Sequence, residues 1–171
     1  HARAVIIGFL VSVLAAIPIA LKVEAESDVL AFVKRDHPVS VSTRLIESRL
    51  SGISTLEILL EGAGPDSLLD LDRMRAIRAL QTWLEKLPAV DRTVSFVDHV
   101  EEMHFAMNDE NPAFRALPPN KRLLQQYMLV YDGRDLYELI DRQYTKARIL
   151  LTLNVHGAKA LGASVAQIQA R

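Results

Sequence analysis

From Ala4 to Leu21 the chain reads AVIIGFLVSVLAAIPIAL, and no other stretch limits the possible folds so tightly. These 18 residues carry no charge, and only Gly8, Ser12 and Pro18 stand outside the apolar set. As a helix the run would be roughly 27 Å long, near the bilayer core thickness of about 30 Å. Arg3 precedes it, Lys22 follows it, and Glu24, Glu26 and Asp28 come next. The positive-inside rule then places residues 1–3 in the cytoplasm and the remainder outside. A signal peptide shares the basic start and apolar core, and Val23-Glu24-Ala25 faintly resembles a cleavage site. Its core is usually only about 7–15 residues long, however. A buried helix in a soluble domain fits so long an uncharged run less well. The expectation is a transmembrane-type helix over residues 1–23 and an extracytoplasmic domain over residues 24–171. A chain opening on His1 is expected to be a fragment or a processed product.

Charge narrows the partners. With 20 basic and 21 acidic residues the net charge is −1, and nucleic acid recognition normally needs a basic face. The absence of cysteine removes disulfides, thiolate metal sites and a cysteine nucleophile.

Beyond residue 24 the periodicity alternates between helix and strand. Val41, Leu45, Ile46 and Leu50 fit one helical face after Pro38, with Ser40 or Ser42 as cap and Gly52 placed for a stop. Leu56 to Leu60 reads as a buried strand closed by Gly62-Ala63-Gly64-Pro65. Met74, Ile77, Leu80, Leu84 and Leu87 mark a helix from about Leu69, with Ser67 and Asp70 resembling a capping box. Val90 to Val97 reads as a strand, and Ser95 or Asp98 can start a helix through Met107. A loop with three prolines, Asn108 to Pro119, leads to a helix over Asn120 to Tyr131. Leu136 to Ile140 is ambiguous, Thr145 to Val155 is the best strand, and Gly157 to Arg171 looks helical. The predicted class is α+β: after the membrane helix, a ferredoxin-like split βαβ domain with a helical insertion over about 98–140, lacking its final strand.

Chemistry is sparse. His99 and His104 are five apart, about 140° around a helix, whereas a zinc-binding pair sits four apart on one face. An exposed polar helix face is the simpler reading. His37 and His156 have no obvious partner. No nucleophile elbow or phosphate loop is present. Glu101-Glu102 and Asp70/Asp72 are read as helix-start acids, and Arg78 with Glu85 and Asp141 with Arg148 as surface pairs. Trp83, Tyr127, Tyr131, Tyr137 and Tyr144 are read as core before ligand-lining. No catalytic, cofactor-binding or metal-binding residue is expected, and the chain is not expected to be an enzyme.

The order of short motifs carries a resemblance. After the apolar run come Ser27-Asp28-Val29-Leu30, Phe32, Asp36-His37-Pro38-Val39, Ile46-Glu47, Leu50-Ser51-Gly52 and Leu56-Glu57-Ile58. Further on stand Val90 to Ser95 with Asp98, Leu117-Pro118 before a helix, and Ala147-Arg148-Ile149 opening a strand. In this order the chain resembles the periplasmic porter loop, with its preceding transmembrane helix, of resistance-nodulation-division superfamily exporters. It is most similar to the "predicted exporter" branch that includes hopanoid and lipid transporters. The resemblance implies a proton-driven inner-membrane exporter of lipids or other hydrophobic compounds. It implies two halves, dimeric or trimeric assembly, and proton-carrying residues in other helices. This region would form the periplasmic substrate path, with an apolar cleft beneath the helices between Asp98 and Tyr131, and no cofactor. The alternative is a single-pass envelope protein whose soluble domain binds a partner or ligand. Such a domain should close without an unpaired strand edge.

Overall fold

The computed structural model describes residues 6–9, 14–18, 32–34, 36–49, 51–131 and 133–170. Within the apolar run, residues 6–9 and 14–18 are helical and exposed, and the rest of Ala4 to Leu21 lies outside the described residues, as do Ser27 to Leu30. No helix among the described residues is long and apolar enough to cross a membrane.

The body is mixed α+β. Helix α1 spans Pro38–Arg49, and strand β1 spans Ser54–Glu61. Helix α2 (Leu71–Leu84) leads to β2 (Val90–Val94) and α3 (Phe96–Ala106). Then come α4 (Lys121–Val130), a single turn α5 (Arg134–Tyr137), β3 (Lys146–Leu153) and α6 (Ala158–Gln169). Among the described residues the strands form one sheet in the order β1-β3-β2. Both outer strands run antiparallel to β3, so β1 and β2 are parallel to each other and α2 is the crossover between them.

Local capping chemistry sets the helix starts. Asp70 accepts from the backbone N–H groups of Asp72 and Arg73 at 3.0 and 3.2 Å and so begins α2 by itself. Ser67, expected to share that role, instead opens a short 3-10 turn, Ser67–Leu69. Ser95 caps α3 through Val97 N–H, and the Asp98 carboxylate returns to Ser95 N–H at 2.7 Å, completing a capping box. Asn120 caps α4 by accepting from Leu123 N–H at 2.9 Å. His37 does the same for α1, with Val39 N–H donating to its Nδ1 at 3.3 Å.

The core lies on one face of the sheet. Alternation turns Ala147, Ile149, Leu151 and Leu153 of β3 inward, with Leu56, Ile58 and Leu60 of β1 beside them. Met74, Ile77 and Leu84 of α2, Phe96, Val97, Val100 and Met103 of α3, and Leu124 and Tyr127 of α4 join the same cluster. On the opposite face, Glu57 and Glu61 pair with Arg148 and Lys146 across the strands.

Several expectations are corrected. Helix α1 turns Val41, Leu45 and Ile46 outward and buries Ser40, while Leu50 lies outside the described residues. Glu101 falls in the middle of α3 and binds Arg78, and Glu102 binds Arg115. Arg78 pairs with Asp98 and Glu101 rather than Glu85, which accepts from Thr93 N–H and hydroxyl. Asp141 accepts from Thr145 and Lys146, and Arg148 reaches Glu57 and the Glu138 carbonyl. The pairings of Arg78, Glu85 and Arg148 were hidden because their partners lie on different elements, whereas Asp141 with Thr145 and Lys146 is a local turn before β3.

Gly52 also has a different reason to be glycine. A Cβ there would stand 1.9 Å from the Leu153 carbonyl oxygen, and Gly52 N–H donates to Asp91 Oδ2 at 2.7 Å. The atoms in the way, Leu153 O and C and Asn154 Cα, are all backbone and cannot swing aside. Gly52→Ala is therefore expected to lower stability by about 1–3 kcal/mol, as overpacking does. The urea midpoint reads this directly, and an unchanged midpoint would remove the close approach as the reason.

Candidate functional site

Two tight turns and one helix border the largest of three hollows found among the described residues. After β1 the chain passes Gly64-Pro65 into Asp66, which sits in the left-handed region at φ 57°. Before β3 it passes Tyr144, also left-handed at φ 52°. Aspartate adopts this conformation with little difficulty, but for an aromatic residue it is an outlier that surroundings must impose. Here they do. Tyr144 N–H donates to the Asp141 carbonyl at 3.0 Å, and the Asp141 carboxylate accepts from Thr145 N–H, Thr145 Oγ1 and Lys146 N–H at 2.7, 2.6 and 3.0 Å. Burial pushes the Asp141 carboxyl up, but these bonds outweigh it and hold the carboxyl below the usual carboxylate range.

The two turns are joined backbone to backbone. Asp66 N–H donates to the Gln143 carbonyl at 2.9 Å and Leu68 N–H to the Tyr144 carbonyl at 3.1 Å. With helix α4 these turns border an open hollow of about 350 Å³ lined by Asp66, Leu69, Gln125, Met128, Leu129 and Tyr144. That is within the size range of small-molecule sites, and its chemistry is a largely apolar wall with one carboxylate, one amide and one phenol. Burial, a hydrogen bond with Tyr137 and the nearby Asp66 charge push the Tyr144 phenol up to about 12. The phenol therefore stays neutral at any ordinary pH, able to donate and accept but not to act as a base.

A second hollow of about 200 Å³ lies between α3 and the end of α4, lined by His99, Glu102, Met103, Ala106, Met107 and Tyr131. A third, of about 220 Å³, runs along the sheet edge from Leu59 to Tyr137. The first two flank α4, whose last turn exposes Leu129 at 86% and Val130 at 70%. The smaller of the two is lined by residues of the Asp98 to Tyr131 region, where a cleft is expected, whereas the larger takes only Gln125, Met128 and Leu129 from it and Asp66, Leu69 and Tyr144 from outside.

The histidines divide three ways. His104 is buried, which corrects its reading as part of an exposed polar face. Its Nδ1–H donates to the Ala116 carbonyl at 2.8 Å, and its ring packs edge-on to Phe114 and against Tyr127. It thus anchors the proline loop to α3. His99 is half-buried at the smaller hollow and does not share a site with His104. His156, at the end of β3, bridges Glu47 of α1 and Ser54 of β1, with Nε2 to Glu47 Oε1 at 2.8 Å and Nδ1 to Ser54 Oγ at 3.3 Å. This has the composition of a hydrolytic triad, but none of the three cavities is lined by it. Its evident work is to hold α1 against the sheet.

Among the described residues no group of three histidine or acidic side chains is placed to hold a metal ion. Tyr127 is core, Trp83, Tyr131 and Tyr144 pack partly against it, and Tyr137 stacks under Arg142 at 4.6 Å. Of the cavity residues, only Tyr144 stood among the aromatics singled out from the sequence. Asp66, Gln125 and Met128 carried no signal beyond a turn and a helix face. Comparison with known proteins brings no match: no family model, curated protein or solved structure is similar to this chain.

Proposed function

We propose that this chain is the periplasmic porter element, with its leading membrane segment, of a proton-driven inner-membrane exporter of lipids or other hydrophobic compounds. The observation that carries the reading is the strand order β1-β3-β2 with α2 as crossover. A ferredoxin-like porter domain requires that order, and it places a fourth strand beside β1, after the second crossover helix. In chain order α6 follows β3, as that second helix would. Among the described residues β1 pairs only with β3.

In this reading the cavity under α4 is a station on the substrate path. Its apolar wall takes the hydrocarbon part, and Tyr144, Gln125 and Asp66 meet a polar head. The chain does no covalent chemistry, and the proton relay sits in other membrane helices. A photoreactive fatty-acyl lipid, presented with the full chain in vesicles, tests this. Crosslinks should fall on Met128 or Leu129, and Met128→Asp should lower their yield at least fivefold while leaving the circular dichroism spectrum unchanged. Labelling spread evenly over the surface, or unaffected by Met128→Asp, would sink the reading.

A further inference from the structure

The charge around the hollow beside α4 is one-sided. Leu69, Met128 and Leu129 give it an apolar wall, and Asp66 supplies the one formal charge in its lining. That carboxylate is exposed and makes no cap bond to the 3-10 turn it precedes. Among the described residues no ion pair reaches it. The cation of the adjoining turn, Arg142, lies over the Tyr137 ring at 4.6 Å and does not line the hollow. Lys121 and Arg122 open α4 a turn before Gln125 and stay out of the lining as well. After burial and the Tyr137 contacts, Asp66 acts on the Tyr144 phenol more strongly than Arg142 does. The field in the hollow is therefore negative.

Tyr144 is the second part. Its backbone is held left-handed at φ 52°, where an aromatic residue stands only if its surroundings impose it. Strain of this kind persists where the surrounding structure fixes one placement. Here it sets an aromatic ring in the same lining as an unpartnered carboxylate. The two together favour a positive, weakly hydrated head, because the carboxylate attracts its charge and the ring quadrupole adds to that attraction. An anionic head would meet Asp66 with only the Gln125 amide and one phenol as donors. A neutral head would leave the carboxylate unmatched.

We propose that this hollow takes amphiphiles with a cationic head, an amine or quaternary ammonium, held between Asp66 and Tyr144 while the first carbons of the chain lie on Leu69, Met128 and Leu129. At about 350 Å³ it suits a small head and the start of a chain rather than a whole lipid. The proposal rests on the reading of this hollow as a ligand station and narrows its substrate class, and the test separates the two.

The chain has four methionines, of which Met128 alone lines the hollow. Met74 is fully buried in the core, and Met103 and Met107 line the smaller hollow, so they serve as controls. The full chain, with isotope-labelled methionine methyl groups, would be placed in phosphatidylcholine nanodiscs and read by NMR. Hexyltrimethylammonium, hexyl sulfate and hexanol share one chain and differ only in the head. The Met128 signal should move saturably, with hexyltrimethylammonium bound about tenfold more tightly than hexanol and hexyl sulfate weakest. Asp66→Asn keeps a residue that tolerates the left-handed turn. It should bring the cation down to the affinity of hexanol and leave hexanol itself unchanged. Equal affinities for the three probes overturn the proposal and leave the ligand station standing. Tighter binding of hexyl sulfate overturns it, as does a cation preference that survives Asp66→Asn. No movement of Met128 with any probe overturns both. Unsaturable movement of Met103 and Met107 together with Met128 means partition over the whole surface, and it too overturns the proposal.

Discussion

Replacing Leu151 by alanine is expected to lower the unfolding free energy by about 3 kcal/mol. Leu151 is fully buried on the central strand, between β1 and β2 and beneath the helix layer. Truncation there removes the transfer energy of the lost carbons and leaves a cavity that neighbours on both sides hold open, a combined cost of about 2–5 kcal/mol. The outer strand supplies the control. Leu59 is 74% exposed on the far side of β1, and Leu59→Ala should change stability by less than about 0.5 kcal/mol. Urea unfolding in mild detergent measures both. Equal effects would mean that the core lies on the wrong face of the sheet.

The second large effect belongs to Asp98. Its carboxylate accepts from Gln81 Nε2 at 2.8 Å, from Ser95 N–H at 2.7 Å and from Arg78 Nη1 at 2.9 Å. Gln81 is itself fully buried and is also met by the Thr93 and Ser95 hydroxyls. Removing the carboxylate leaves buried donors unmatched and half of a capping box undone. Asp98→Ala should cost about 2 kcal/mol, less than a fully enclosed pair because its side chain is 34% exposed.

The same group sets a pH dependence. Burial pushes the Asp98 carboxyl up, but the bonds from Gln81 and Ser95 and the Arg78 charge outweigh burial and leave it below the usual carboxylate range. A folded value below the unfolded one means the stabilisation is complete above the unfolded pKa, near pH 4, and is lost as pH falls through the lowered folded value. Stability should therefore fall below about pH 4 in the parent and fall less steeply in Asp98→Ala. Parallel acid limbs would show that the carboxylate is not held by these bonds.

How much could be read in advance follows from how far apart the interacting residues stand. Ser95 with Asp98, and Asn120 with its helix, act within three residues, so their geometry is written locally. The β1 and β3 positions follow from composition and flanking turns, and the α+β class followed with them. Arg78 instead meets Asp98 and Glu101 across 20 and 23 positions, and several carboxylates lay equally near in the sequence. The larger cavity was not legible, since it draws half its lining from outside the Asp98 to Tyr131 region. Asp66 and Tyr144 are brought together by backbone bonds between two turns that no periodicity links.

The sequence by itself determined where most helices start, which segments are strands, and which side of β3 is apolar, because caps and alternation are decided among near neighbours. Only the tertiary structure decided that β3 lies between β1 and β2, and that Arg78 serves Asp98. It also decided that α1 is held by its polar face. Helical periodicity shows that a helix has an apolar side, but the partner on the other side, here His156 across more than a hundred residues, decides which side turns in.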